Sequence, residues 1–108
     1  MRSQIVFANE KLKIAFERLK QSKTEEGKLQ KFLERAFEDI EKDATCGIQI
    51  PNKLIPKEYK KYGTTNLWKY NLPNAWRLLY SVQKNDIIIL SIVLEWMSHK
   101  NYERRFHY

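Results

Sequence analysis

Apolar residues return at Leu29, Phe32, Leu33, Ala36, Phe37 and Ile40, spaced i, i+3, i+4, i+7, i+8 and i+11. That period predicts an amphipathic helix, and such a helix persists only where its stripe has apolar surface to cover. Thr24 is placed to cap it, with Glu25 and Glu26 in the first turn, where the helix dipole favours acidic groups. A second stripe, Leu12, Ala15, Phe16 and Leu19 in "NEKLKIAFERLKQ", predicts an earlier helix with Asn9 as N-cap. The break at "SKTEEG" makes the pair a helical hairpin with one shared apolar face. Residues 9–43 hold nine Lys/Arg and nine Asp/Glu, a balanced set that reads as the solvated outer side of that hairpin.

The surface to be covered is read from four strand candidates. "SQIVF" (3–7) precedes the helices; "LWKYNL" (67–72), "WRLLYSV" (76–82) and "IIILSIVLEW" (87–96) follow them. Pro73–Asn74 and Asn85–Asp86 mark turns. Between helices and strands, "CGIQIPNKLIPKEYKKYGTTN" reads as an irregular connection with one helical turn at 57–62. The expected fold is α+β, in the order β-α-α-β-β-β, with a helical hairpin packed on a largely antiparallel four-stranded sheet. At 108 residues, with no repeat or low-complexity tract, residues 1–108 are expected to form a single domain.

Register sorts the polar residues. A three-residue turn at 73–75 pairs Leu72 with Trp76, Tyr70 with Leu78 and Trp68 with Tyr80. Every apolar side chain then shares one face, and Lys69, Asn71 and Arg77 share the other. A slip of one residue would invert this, so the segregated register is expected. The same logic sets Trp76, Leu78, Tyr80 and Val82 against Leu94, Ile92, Leu90 and Ile88, leaving Ser91 and Glu95 beside Arg77. Trp68, Trp76 and Trp96 are then core or rim residues. The polar tail "SHKNYERRFHY" (98–108) leaves the last strand next to that charged face and is expected to complete a cleft there.

Charge points the same way. The net charge is +7, yet 53–69 holds five lysines against Glu58, and 99–108 holds Lys100, Arg104 and Arg105 against Glu103. Excess positive charge confined to two segments favours a polyanionic partner, nucleic acid first. One cysteine, Cys46, rules out a disulfide framework and reads as a small half-buried filler. The start lacks a signal-peptide stretch, and the longest apolar run is far below the roughly 20 residues a bilayer span requires, so a soluble cytoplasmic protein without membrane contact is expected.

No phosphate-cradling Gly-rich loop, HExxH, CxxC or Gly-x-Ser-x-Gly occurs, which argues against serine or metal hydrolysis; no metal or other cofactor is expected. Lys69, Arg77, His99 and Tyr102 instead offer cations, an imidazole and a phenol. Metal-free RNA cleavage needs such groups: a base for the ribose 2′-OH, cations for the charged phosphorane, and an acid for the leaving oxygen. Lys57, Lys60, Lys61, Asn71, Lys100, Arg104 and Arg105, with Tyr59 and Tyr62 as exposed aromatics, are the residues expected to hold a single strand through phosphates and stacked bases. The plainer reading makes Arg77 an ion-pair partner of Glu95, His99 a solvated histidine, and Tyr102 and Phe106 the packing side of a last helical turn.

The strand "WRLLY" followed by an apolar strand and the tail "HKNYE" resembles the RelE/ParE superfamily of type II toxin–antitoxin toxins, with residue matches from about Asn66 onward. The resemblance implies a RelE-type mRNA interferase, cleaving mRNA at the ribosome and neutralised by a cognate antitoxin. Carried over by position, it implies Arg77 as the phosphate-binding arginine, Lys69 as a catalytic lysine, and His99 and Tyr102 as proton-transfer or stacking residues. Where some relatives have a second lysine this chain has Asn71, so His99 and Glu95 both stand as candidates for the base. A ParE-like gyrase inhibitor, or a non-catalytic RNA- or protein-binding module of the same fold, are the alternatives.

Overall fold

The computed structural model describes residues 1–22, 25–85 and 88–107, without the side chains of residues 25, 26, 62, 85 and 88. Thr24 as a cap, Asp86 in the turn, Ile87 in the last strand and the side chains of Glu25, Glu26 and Tyr62 therefore lie outside the described residues. Strand β1 (Gln4–Phe7) leads into α1 (Glu10–Leu19) and α2 (Glu25–Lys42). After β2 (Ile48–Gln49) come two 3-10 segments, Asn52–Leu54 and Lys57–Tyr62, then β3 (Leu67–Asn71), β4 (Arg77–Asn85), β5 (Ile88–Met97) and α3 (His99–Phe106). The sheet has five strands, in the order β1-β5-β4-β3-β2, with β1 parallel to β5 and the other pairs antiparallel. Among the described residues no helix is long and apolar enough to cross a membrane.

The α+β class and the predicted elements hold, while the strand count is five rather than four. The extra strand is two residues of the segment expected to be irregular, and a glycine brings it in. A Cβ on Gly47 would stand 2.5 Å from the Lys69 carbonyl oxygen, so only a residue without one lets the chain approach β3 this closely. The Tyr80 hydroxyl accepts from the Gly47 N–H at 3.2 Å and donates to the Ala44 carbonyl at 2.8 Å, holding the approach in place.

Asn9 caps α1 as expected, its side-chain oxygen accepting from the Leu12 N–H at 2.9 Å. The stripe of α2 is buried at Leu29, Leu33, Ala36, Phe37 and Ile40 against Leu78, Tyr80, Val82 and Val93 of the sheet. Helix α1 lies more lightly: it buries no residue fully, Ala15 is exposed, and Phe16 joins Phe7 and Phe37 in a ring cluster with centroids 5.2 to 5.8 Å apart. Cys46 is exposed rather than half-buried; what burial it has, followed by the nearby Asp39 and Asp43 charges, pushes its thiol pKa up, so the thiol stays protonated.

The β3–β4 register is the segregated one, with Trp68 opposite Tyr80, Tyr70 opposite Leu78 and Asn71 opposite Arg77. The turn between them sets Asn74 at φ 60° and Ala75 at φ 62°, the second strained because alanine has a Cβ. The β4–β5 register departs from expectation. Leu78 faces Trp96, Leu79 faces Glu95, then Tyr80 faces Val93, so a bulge at Leu94 shifts the pairing by one. Val93 and Ser91 thus turn toward the helices, and Ser91 is buried there with its hydroxyl 2.9 Å from that of Ser3, away from Arg77. Leu94 and Ile92 go to the opposite face, and the bulge returns Glu95 to that same face beside Leu94.

Candidate functional site

The face opposite the helical hairpin has a buried patch of its own, made of Leu67, Leu79, Leu94, Met97, Tyr59 and Tyr102. Helix α3 forms its cover. Ser98 caps the helix, its hydroxyl accepting from the Asn101 N–H at 3.4 Å, and His107 closes it with φ 61°. Tyr102 and Phe106, one turn apart, stack with centroids 4.5 Å apart on the side toward the sheet. The tail is therefore a helix of eight residues that folds back over the charged side of the hairpin.

Three of the residues singled out from sequence meet there. Lys69 and Arg77 are diagonal neighbours on one face of the β3–β4 pair. The Lys69 ammonium donates to the Tyr102 hydroxyl at 3.1 Å and lies 5.0 Å from the ring centroid. The Arg77 guanidinium carbon lies 5.6 Å from the same centroid, so both cations stand within range of one aromatic face. Arg77 donates to the Trp76 carbonyl at 3.1 Å, but its Nε is buried with no hydrogen-bond partner. It forms no ion pair with Glu95 or, among the described residues, with any other carboxylate. A half-buried guanidinium with an unsatisfied donor is expensive unless something anionic completes it.

The other candidates sit elsewhere. His99 is exposed and pairs with Glu103 one turn on. Lys57, Lys60, Lys61, Asn71, Lys100 and Arg104 are exposed. Tyr59 corrects its expectation: it is 1% exposed, so it cannot stack on a base. Its hydroxyl donates to Glu95 at 2.9 Å, and burial first, then the Glu95 charge, raise its pKa so that it remains a donor. Glu95 also receives Arg105 Nη1 at 2.6 Å, and Arg105 Nε lies 3.4 Å from Glu58. Sequence reasoning gave Arg105 to RNA and Glu95 to proton transfer; the structure brings them together in one network with Tyr59, whose burial no local pattern signalled.

Two open clefts of about 470 Å³ each flank this network. One runs toward α1, lined by Leu12, Ala15, Lys61 and Leu94; the other lies along α3, lined by Trp96, Met97, Asn101 and Arg104. Lys69, Arg77 and Tyr102 line neither of these two clefts. Among the described residues no group of three or more His, Cys, Asp or Glu is placed to hold a metal ion. Comparisons with family models, with curated proteins and with solved structures find no match to this chain.

Proposed function

We propose that this chain is the toxin of a type II toxin–antitoxin system, a metal-independent endoribonuclease of the RelE type that cleaves mRNA at the ribosome. The observation supporting this reading is the meeting of Lys69, Arg77 and Tyr102 on one sheet face, with a buried Arg77 donor left unsatisfied. A phosphate over that cluster meets the Lys69 ammonium, and the planar fork of Arg77 suits two of its oxygens. In the reaction the ribose 2′-oxygen attacks phosphorus, the bond to the 5′-oxygen breaks, and a 2′,3′-cyclic phosphate and a 5′-hydroxyl result. Lys69 and Arg77 stabilise the charge that builds on the phosphorane, and Tyr102 orients Lys69 while its hydroxyl gives the leaving 5′-oxygen its proton. Glu95 is held by two donors, Arg105 and Tyr59, and His99, exposed and three residues before Tyr102 in α3, is the proposed base for the 2′-OH proton. The exposed Lys57, Lys60, Lys61, Lys100 and Arg104 hold the flanking strand. A cognate antitoxin covering this basic face in the cytoplasm is part of the same proposal.

One observation favours a second reading, a non-catalytic RNA-binding module: His99 is already paired with Glu103. Inducing the protein in cells, as wild type and as Arg77→Ala, separates the readings. The nuclease reading expects growth arrest, collapse of translation and breaks mapped inside reading frames. With purified protein added to translating ribosomes, mRNA ends should carry cyclic phosphate, and Arg77→Ala should cut about 10²–10³-fold more slowly. DNA damage with intact mRNA would indicate gyrase poisoning, and binding without any cleavage would indicate the module.

A further inference from the structure

Arg104 and Arg105 are adjacent and carry the same charge, yet the fold treats them oppositely. Arg104 is exposed, makes no ion pair among the described residues, and lines the cleft along α3. Arg105 is half-buried, with Nη1 2.6 Å from Glu95, Nε 3.4 Å from Glu58, and its guanidinium 5.6 Å from the Tyr59 ring centroid. Half-burial works against the Arg105 charge, but Glu95, Tyr59 and Glu58 together outweigh it and raise its pKa. Two carboxylates already occupy its fork, so little remains for a phosphate.

What this network fixes is α3. A helix of eight residues has little stability of its own, so contacts must hold it down. The Tyr102–Phe106 stack supplies an apolar hold that allows the helix to roll about its axis. Arg105 stands three residues from Tyr102, on a neighbouring position of the helix surface, and bonding it to β5 and the 57–62 segment removes that roll. Glu95 is available as the seat only because the bulge at Leu94 turns it to this face, and Tyr59 holds the carboxylate from the side.

We infer that Arg105 is a positioning residue, seated on Glu95 and Tyr59, that sets the rotation of α3 and so places Tyr102 against Lys69 and Arg77, while Arg104 is the strand-binding cation. The chemistry rests on the proposed nuclease reading; the placement does not. The test uses the full chain as Arg105→Gln, Arg105→Lys, Glu95→Gln and Arg104→Gln. Lys69 lies over the Tyr102 ring, so its side-chain protons have a ring-current shift in NMR that reports the placement directly. Arg105→Gln and Glu95→Gln should lose that shift and speed amide exchange in α3 at least about tenfold, the change produced by ~1.4 kcal/mol. In RNA cleavage they should lower kcat with KM little changed, and Arg105→Lys should recover part of both signals. Arg104→Gln should keep the ring-current shift and raise KM. A ring-current shift retained in Arg105→Gln and Glu95→Gln overturns the inference, as does their matching Arg104→Gln in raising KM alone. Should the wild type cleave no mRNA on translating ribosomes, the nuclease reading fails, and the NMR and exchange results still decide the role of Arg105.

Discussion

The two faces of the sheet are both covered by helix, but they are built from different materials. On the face under α1 and α2, Leu33, Leu78, Tyr80 and Val93 are fully buried, and hydroxyl groups there are hydrogen-bonded. Ser3 meets Ser91, Tyr80 donates to Ala44, and Tyr70 donates to Asp39 at 2.5 Å, with burial and then that bond pushing its pKa up to about 12. On the face under α3, an apolar patch around Leu67, Leu79 and Met97 is bordered by Lys69, Arg77, Glu95 and Arg105. There one donor goes unsatisfied and ion pairs do part of the holding. The contrast teaches that one face stores stability, and the other gives up some stability to keep charges close together near the surface.

Leu33→Ala should strike that division hardest. It leaves a cavity under a residue with 0% exposure and should cost about 2–5 kcal/mol in urea unfolding, without altering RNA cleavage per folded molecule. An equal fall in activity per folded molecule would break the comparison. Tyr102→Phe removes the hydroxyl that accepts from Lys69 while keeping the ring. It should lower kcat/KM for RNA about tenfold and change the unfolding free energy by about 1 kcal/mol or less. Unchanged cleavage would assign Tyr102 to packing alone. The smallest expected effect is at the turn that leads into Arg77. Ala75→Gly relieves a left-handed alanine, and should raise the urea midpoint by the equivalent of up to about 1 kcal/mol with activity unchanged. A loss of activity there would mean that turn strain helps to place Arg77.

Much of the helix-covered face was legible beforehand, because its signals are local. The period in α2 marks the buried stripe, Asn9 marks a helix start, and the turn at 73–75 with alternating residues marks one register. Lys69, Arg77 and Tyr102 were singled out on the same grounds, since alternation puts the cations on one face and the chain direction brings the tail past them. Nearness in sequence groups His99 with them, whereas in the structure it pairs with Glu103. Tyr59, set among lysines, reads as an exposed ring, yet its side chain reaches the patch under α3.

The sequence by itself determined the α+β class, the helical hairpin, the β3–β4 register and the segregation of charge, because each follows from spacing within a few residues and from side-chain type. Only the tertiary structure decided the fifth strand, the bulge at Leu94, the inward turn of Ser91 and the partners of Arg105. Those depend on groups far apart in the chain, Gly47 against Lys69, Tyr59 against Glu95, Ser3 against Ser91, competing for the same buried positions. Nearest-neighbour pattern carries no information about which of them wins.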